Sequence, residues 1–374
     1  MKYLFFLGQN IPLSLAEIDS LVPDFKHQLF ESTALLETSE ELDLDDLNCR
    51  LGGTVKIASY VSDLDSDNPT SQIAQFIQKL ENKNFSINIL QGNNTKAFQI
   101  AKEVKDILTK NDFSSRYIKA RNPFLSPLII KTQSVTEITI DLESKQFFHT
   151  THLHDYDSWI QRDRDKPYLT PKQGMLPPKL ARIMANLGLN SSDTQDLTLL
   201  DPFCGTGTIL TEAVLLGPNT IGSDISEDKM NGTRKNLDWL PEEHFCQQPA
   251  NPTELYNHDA THLSQIIREE IDVIVTEPSL GPVSPQEEDM PQIAEGLQKL
   301  YLGALKDWQS FLKDQARLVI AFPRFKMEDQ TISTHEFIDS HPGLSYNIID
   351  SSLIFTRPGA KIERQILILK FNKK

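Results

Sequence analysis

The chain has 374 residues, a formal net charge of -15 and 39% hydrophobic residues. This length exceeds that of a typical single domain, so we expect two domains, each with its own core. The acidic balance argues against a protein that coats nucleic acids nonspecifically. No apolar stretch approaches the roughly 20 residues of a membrane helix, and we therefore expect a cytoplasmic protein with no membrane partner.

The first 155 residues are expected to form an α+β region. A strand over Lys2–Leu7 precedes a helix that opens near Ser14, where Ser14 and Glu17 have the spacing of a capping box. Polar residues interrupt the first apolar run, which favours a strand over a secretion signal. Further helices are predicted over Thr70–Leu80 and Thr95–Thr109. The remaining strands are predicted within Leu51–Ala58, Phe85–Leu90, Arg116–Ala120, Leu128–Lys131 and Thr136–Leu142.

A basic segment lies within this acidic chain. Between Glu81 and Val135 there are nine Lys or Arg residues and four acidic residues. The segment could be a solvated helix face or a surface that contacts phosphates. Its basic residues are Lys83, Lys96, Lys102, Lys105, Lys110, Arg116, Lys119, Arg121 and Lys131.

A group of histidines follows, at His149, His152 and His154 beside Asp155. Such a group could hold a metal ion. It lacks a recognised ligand spacing such as HExxH, and the chain contains no CxxC pair. We therefore predict surface or interdomain histidines and no metal site.

The second half of the chain is expected to be a Rossmann-like domain over residues 176–374. Residues 156–175 are rich in charge and contain prolines, and we assign them to a linker. Beyond them strands and helices alternate, which predicts a doubly wound α/β sheet. Two late strands joined at Pro358-Gly359 predict an antiparallel edge hairpin. Strands are predicted at Asp196–Leu200, Asn219–Gly222, Ile271–Thr276, Arg317–Phe322, Ser345–Phe355 and Gln365–Phe371, with helices at Thr208–Leu216, Lys229–Leu237 and Pro291–Leu312.

A glycine-rich loop joins the first strand and helix of this domain. Its two glycines allow a tight turn that brings backbone amides beside a ligand. The third glycine of a dinucleotide fingerprint is absent, since Leu210 stands there, and no GK[ST] marks a P-loop. An acid before the glycines can hold an amine, and later acids can meet a ribose diol and an adenine amine. This pattern favours S-adenosylmethionine over NAD, although Asp201 and Asp224 could simply cap strands. The residues assigned to the donor are Asp201, Phe203, Gly205, Thr206, Gly207, Thr208, Asp224 and Asp259.

The candidate reacting residues are Glu277, Pro278, Ser279 and Leu280, which follow the predicted strand Ile271–Thr276. Amino-group methyltransferases place a polar side chain, prolines and an aromatic residue at this strand end. The polar side chain and a backbone carbonyl accept hydrogen bonds from the target amine, and the aromatic ring stacks on the base. Leu280 lacks that ring, whose stacking contributes roughly 1–3 kcal/mol. An ordinary strand-to-loop turn is the alternative interpretation.

Four stretches make the chain resemble the THUMP-containing tRNA guanosine-10 N2-methyltransferase family. The resemblance implies a THUMP-like tRNA-binding region over residues 1–155 and transfer of a methyl group from S-adenosylmethionine to a guanine N2 amine. It further implies that Met175 and Pro177 help to enclose the donor, and it leaves open a small activating protein partner. The stretches are Phe6–Asn10 with Leu13–Glu17, Leu51–Ala58, Arg162–Pro167 with Gly174–Ala181, and Asp201–Ile209.

Two departures from the family pattern are present. Lys166 stands where the family usually has Arg, and only Pro278 remains of the family's Asp-Pro-Pro-Tyr motif. The Thr-Glu-Pro-x-Leu-Gly form is similar to that of bacterial-looking relatives, which indicates a divergent branch. Two other functions therefore stay open: a DNA amino-methyltransferase acting on adenine N6 or cytosine N4, and a non-catalytic RNA-binding protein that retains the donor pocket.

Overall fold

The structure is a computed structural model, and its described part divides into two compact units. The first unit comprises Met1–Ile11, Val22–Cys49 and Thr54–Tyr156, and the second comprises Pro12–Leu21, Arg50–Gly53 and Asp157–Lys374. Arg121 of the basic segment and Gly174 of the family motif lie outside the described residues. The described residues are 1–22, 24–92, 94–120, 124–170, 175–191, 193–241, 244–248 and 251–373.

The first unit is built on an eight-stranded sheet. Its strand order is β2-β3-β1-β4-β8-β7-β5-β6, mostly antiparallel, with β5 parallel to both β6 and β7. The strands are β1 (Lys2–Leu7), β2 (Lys26–Phe30), β3 (Thr33–Glu37), β4 (Thr54–Asp63), β5 (Asn84–Ile89), β6 (Arg116–Tyr117), β7 (Val135–Asp141) and β8 (Gln146–Leu153).

Five helices begin in the described part of the first 155 residues. The apolar spacing of α3 and α4 places Ile73, Ile77, Ala101 and Val104 on buried faces that share one hydrophobic core with β5 and β7. The helices are α1 (Ile11–Leu21), α2 (Leu44–Arg50), α3 (Pro69–Lys79), α4 (Asn94–Lys110) and α5 (Pro127–Thr132).

Two predictions of local structure in this part were wrong. The segment Leu128–Lys131, expected as a strand, lies in α5, because Ser126 caps the helix and Pro127 occupies its first turn. The capping box is also absent, because α1 begins at Ile11 and Ser14 lies inside it. The Ser14 hydroxyl instead donates to the carbonyl of Gly53 at 3.0 Å.

The second unit carries the Rossmann-like sheet, and its edge hairpin has the predicted turn at Gly359, where φ is 74°. The strand order is β11-β10-β9-β12-β13-β16-β15, with β14 beside β13. Strands β9 to β13 pair in parallel in this order, and β16 pairs antiparallel with β13 and β15. The strands are β9 (Thr198–Asp201), β10 (Asn219–Asp224), β11 (Glu254–Asn257), β12 (Ile271–Thr276), β13 (Leu312–Lys326), β14 (Thr331–Ser333), β15 (Tyr346–Phe355) and β16 (Ile362–Phe371).

The helices of the second half include α7, which the sequence analysis missed and which is buried along its length. The expected linker begins with α6 and a π-helical turn at Gln161–Asp165, and Arg162 and Lys166 within it are buried. No helix among the described residues is long and apolar enough to cross a lipid bilayer. The helices are α6 (Tyr156–Ile160), α7 (Pro178–Leu189), α8 (Thr208–Val214), α9 (Glu227–Asp238), α10 (Met290–Trp308) and α11 (Phe337–Ser340).

The strand order of the second unit changes direction at β9, between β10 and β12. The chain runs from β9 outward to β10 and β11, and then crosses to the other side of β9 to form β12. Such a switch point leaves a ligand-binding crevice beyond the strand ends in open α/β sheets. Asp201, Asp224 and Thr276 are the last residues of β9, β10 and β12, so the predicted site residues meet at this edge.

Candidate functional site

The glycine-rich loop after β9 is held by its own glycines and by α9. Gly205 and Gly207 have φ values of 55° and 76°, in the left-handed region that favours glycine. The Thr233 hydroxyl donates to the Gly205 carbonyl at 2.9 Å, and the Asn236 amide donates to the Thr206 carbonyl at 2.9 Å. These hydrogen bonds hold the loop against α9.

The two glycines differ in what surrounds them. A Cβ atom on Gly207 would lie 2.7 Å from Cγ2 of Thr233, which is closer than real Cβ contacts allow. A Cβ atom on Gly205 would meet only the Phe203 carbonyl oxygen, at 3.9 Å. Packing against α9 therefore requires Gly207, whereas Gly205 borders open space.

Carboxylates at the ends of β9 and β10 fix the loop to its neighbours. Oδ2 of Asp224 accepts a hydrogen bond from the Gly205 amide at 3.0 Å, and Oδ1 accepts one from the Ser226 amide at 2.9 Å. Oδ1 of Asp201 accepts a hydrogen bond from the Thr276 hydroxyl at 2.7 Å. This last contact joins the end of the loop strand directly to the end of β12.

Asp201 has an unusual electrostatic environment. The pKa of its carboxyl is raised to about 8, chiefly by burial and also by the charges of Asp224 and Glu277, against the lowering effect of hydrogen bonds from Thr276 and the Phe203 amide. The charges of Asp224 and Glu277 thus act on Asp201 at one edge of the sheet. A cationic ligand there would relieve their mutual repulsion.

Asp259 lies two residues after β11, and its side chain stabilises a turn. Its Oδ1 accepts hydrogen bonds from the Thr261 amide at 2.9 Å and the Thr261 hydroxyl at 2.8 Å, and His262 lies 3.7 Å from Oδ2. The hydrogen bond from the Thr261 amide is the main cause of the lowered pKa of this carboxyl. The structure therefore gives Asp259 a local role, and its contact with an adenine stays a prediction.

The predicted reacting residues follow β12 directly. Glu277 forms an ion pair with Arg364 of β16, and both side chains are largely buried. Pro278 is buried, Ser279 is exposed and Leu280 is half-buried. The Tyr301 hydroxyl of α10 donates to the Ser279 carbonyl at 2.5 Å, which holds the segment against that helix.

Other predicted donor residues lie in the same unit. Phe203 is half-buried, with its ring 6.3 Å from that of Trp308. Thr206 is buried in the loop, and Thr208 begins α8. Met175 and Pro177, both half-buried, precede α7, whose first turn starts with a hydrogen bond from the Ala181 amide to the Pro177 carbonyl.

Sequence reasoning missed the buried charged side chains that contact α8, the helix that follows the loop. Glu212 of α8 accepts from Arg162 Nε at 2.7 Å and pairs with Arg182 Nη2 at 2.9 Å, with all three side chains buried. Lys166 donates from Nζ to the Thr208 hydroxyl at 3.0 Å. Arg162 and Lys166 belong to the charged family motif, so the motif itself was the available signal.

Ile225 is a second residue that the sequence did not reveal. It follows Asp224 directly and is 74% exposed, which makes it the most exposed of the large hydrophobic side chains among the described residues. An exposed isoleucine beside a predicted ribose-binding acid is suited to cover an apolar ligand face. Within the described part of the chain, no group of three or more His, Cys, Asp or Glu side chains could hold a metal ion.

Comparison with protein families and sequences places a methyltransferase domain on this unit. Residues 169–339 match the family described as "RMKL-like, methyltransferase domain". The tRNA (guanine(10)-N2)-dimethyltransferase of Methanothermobacter thermautotrophicus is 31% identical over 202 residues, covering 54% of this chain and 51% of the relative. The Methanocaldococcus jannaschii protein of the same name is 28% identical over 267 residues, covering 67% and 69%. The chain thus spans about half the length of the first relative.

Solved structures share the fold along nearly the whole chain. TrmN from Thermus thermophilus aligns with a TM-score of 0.51 and 15% identity, over 99% of this chain and 100% of that one. A "possible methylase" from Clostridium difficile 630 aligns with a TM-score of 0.50 and 14% identity, over 99% and 97%. Together the comparisons confirm the Rossmann-like methyltransferase fold, and they confirm the resemblance of this chain to the tRNA guanosine-10 N2-methyltransferase family.

Proposed function

We propose that the protein is an S-adenosylmethionine-dependent methyltransferase that acts on the exocyclic N2 amine of a guanosine in tRNA, at position 10 as in its named relatives. The observation that carries the proposal is the hydrogen bond of 2.7 Å between Thr276 and Asp201. It brings the end of the strand before Glu277 to the strand that carries the glycine-rich loop. This contact supports a donor site and an acceptor site that are adjacent at one edge of the sheet.

The donor proposal is supported by charge and shape. When bound, S-adenosylmethionine supplies an electrophilic methyl group on a sulfonium, and its methionine part carries an ammonium. Asp201 can pair with the ammonium, because a cationic partner favours the ionised form of its buried carboxyl. The space beside Gly205 leaves room for the ligand, and Asp224 ends the strand where an acid can accept from the ribose hydroxyls. Ile225, Met175 and Pro177 can cover the apolar faces of the donor.

Two oxygen atoms of the segment after β12 can accept hydrogen bonds from the target amine. The Glu277 carboxylate and the Pro278 carbonyl can accept the two N–H groups of the guanine amine, which directs its nitrogen at the methyl group. The Ser279 carbonyl is less available as an acceptor for the amine, because the Tyr301 hydroxyl already donates to it. Leu280 can cover one face of the base in place of an aromatic ring.

The first unit offers a surface suited to RNA, in keeping with a THUMP-like role. A cavity of about 560 Å³ is lined by basic, aromatic and polar side chains. Next to the lining residue Tyr117 is Phe98 of α4, 47% exposed, with the Lys119 ammonium 5.8 Å from its ring centre. Aromatic rings stack on unpaired bases and nearby cations contact phosphates in single-strand binding proteins. The lining residues are Arg116, Tyr117, Ile118, Lys119, Phe124, Leu125, Ser126, Ile129 and Gln133.

The test is incubation of the protein with a tRNA transcript and S-adenosylmethionine that carries an isotopically labelled methyl group. We expect labelled N2-methylguanosine on digestion and mass spectrometry of the nucleosides, and the mass gain per nucleoside counts the methyl groups. The matched control is the same tRNA with inosine at position 10, because inosine lacks only the exocyclic amine. Label retained in that control would refute the assignment of the target.

The two other functions predict different products in the same assay. A DNA amino-methyltransferase would label adenine or cytosine in DNA and leave the tRNA unlabelled. A non-catalytic protein would bind the donor in calorimetry and label neither polymer. Either result would overturn the proposed reaction while leaving the donor site intact.

A further inference from the structure

The long β13–β16 ribbon extends past the edge of the sheet where the proposed active site lies. Thr276, the last residue of β12, is level with Ile320 of β13, and β13 continues to Lys326. Arg364 of β16 is paired with Pro323, three residues beyond Ile320. At about 3.3 Å per residue, Arg364 stands roughly 10 Å past the end of β12, alongside the segment that contains Glu277.

The side chain of Arg364 forms an ion pair with Glu277. Its Nε donates to Oε1 of Glu277, and the two side chains are 12% and 15% exposed. The guanidinium carbon lies 6.0 Å from the ring centre of Phe355, the cross-strand neighbour of Arg364 on β15. Within the described part of the chain, no group donates to the second oxygen, Oε2, of Glu277.

We propose that Arg364 is a positioning residue, which keeps the Glu277 carboxylate ionised and oriented so that Oε2 accepts a hydrogen bond from the target amine. This inference rests on the proposed function of Glu277. It accounts for the longer side chain at this position: glutamate has one more rotatable bond than aspartate, and the ion pair removes the added freedom.

The charge balance around Glu277 agrees with this role. Burial raises the pKa of its carboxyl, whereas the charge and hydrogen bond of Arg364, and then the charge of Arg357, lower it. A protonated Glu277 would carry an O–H donor, and this donor would oppose the N–H groups of the amine. Loss of Arg364 should therefore impair transfer most strongly at low pH.

The test compares Arg364→Gln with Arg364→Lys, and uses Glu363→Gln as the matched control. Glu363 is the preceding residue on β16, and it pairs with Arg324 at 3.3 Å and Lys326 at 3.5 Å. All variants should keep the donor dissociation constant of the unmodified protein. Arg364→Gln and Glu363→Gln each break a largely buried ion pair, so both should lower the unfolding midpoint. We expect Arg364→Gln to lower kcat and to move the acidic limb of the kcat profile to higher pH. On that limb, where Glu277 is mostly protonated, each unit of pKa shift changes the ionised fraction about tenfold.

Arg364→Lys should regain most of kcat, because the cation is kept, and the control should match the unmodified protein. A pH profile of Arg364→Gln that coincides with that of Glu363→Gln would overturn the inference. So would a kcat of Arg364→Lys as low as that of Arg364→Gln. If Arg364→Gln does not fold, the comparison of Arg364→Lys with the control decides the question through its own pH profile.

A measurement without catalysis separates this inference from the proposed function. The carboxyl carbon of Glu277 can be followed by NMR in 13C-glutamate-labelled protein, with Glu277→Gln used to assign its signal. We expect its pKa to rise in Arg364→Gln and to stay unchanged in Glu363→Gln. An unchanged pKa in Arg364→Gln would refute the positioning role. Absence of label in tRNA incubated with the unmodified protein and labelled donor would refute only the proposed reaction.

Discussion

Replacing Gly207 by alanine should destabilise the second unit through two separable effects. The residue has a φ of 76°, and left-handed backbone costs an L-residue about 1–2 kcal/mol. The added Cβ would also lie 2.7 Å from Cγ2 of Thr233, and forcing an extra group into a packed site costs about 1–3 kcal/mol. We therefore expect Gly207→Ala to lower the free energy of unfolding by about 2–5 kcal/mol.

Gly205→Ala is the matched control for the backbone effect alone. Its φ of 55° is also left-handed, but the nearest atom to its Cβ is 3.9 Å away. This variant should lose only about 1–2 kcal/mol of folding free energy. Because its methyl group would enter the space proposed for the donor, it should weaken donor binding more than its effect on folding suggests.

The assay is urea unfolding of both variants, together with calorimetric titration of S-adenosylmethionine. Thr233→Ser removes Cγ2 but keeps the hydroxyl that donates to the Gly205 carbonyl. The double variant Gly207→Ala/Thr233→Ser should therefore regain part of the stability that Gly207→Ala loses. Equal destabilisation by the two glycine variants, or no recovery in the double variant, would refute the packing argument.

Three further perturbations test other parts of the unit. Glu212→Gln removes the carboxylate that pairs with two buried arginines, so urea unfolding should show a loss of about 3–5 kcal/mol. A loss below about 1 kcal/mol would contradict the buried network. Burial raises the pKa of Asp201 from 3.8 to about 8, so its contribution to folding stability should fall as pH rises across that range. The affinity for the donor should rise from pH 6 to about 7.5, below the pKa of an α-amino group, and calorimetry should find that Asp201→Asn flattens this dependence. Ile225→Ala should weaken donor binding about tenfold through lost apolar contact, whereas Ile349→Ala, at an exposed site on β15, should leave it unchanged.

The sequence predicted those elements whose signals are local. The strand Ile271–Thr276 is short and apolar and was predicted with its observed bounds, and the glycine spacing placed the turn between β9 and α8. The helix α7 was missed, although Lys179, Arg182 and Asn186 recur on one face at helical spacing. Arg182 and Asn186 are buried, and this polar stripe contacts protein groups such as Glu212 and Glu17. The capping box failed because Ser14 and Glu17 bond to Gly52 and Gly53, residues far along the chain.

The environment of Glu277 shows why a motif alone could not reveal the candidate site. In sequence, Glu277 is only a departure from Asp-Pro-Pro-Tyr, and nothing near it in the chain explains the longer side chain. Its partner Arg364 stands 87 residues later, and the register of β16 on β13 brings the two together. That register follows from side-chain packing along both strands, which periodicity does not specify. A substitution in a motif is therefore best interpreted together with the side chain that contacts it, since the loss or the retention of chemistry depends on the pair.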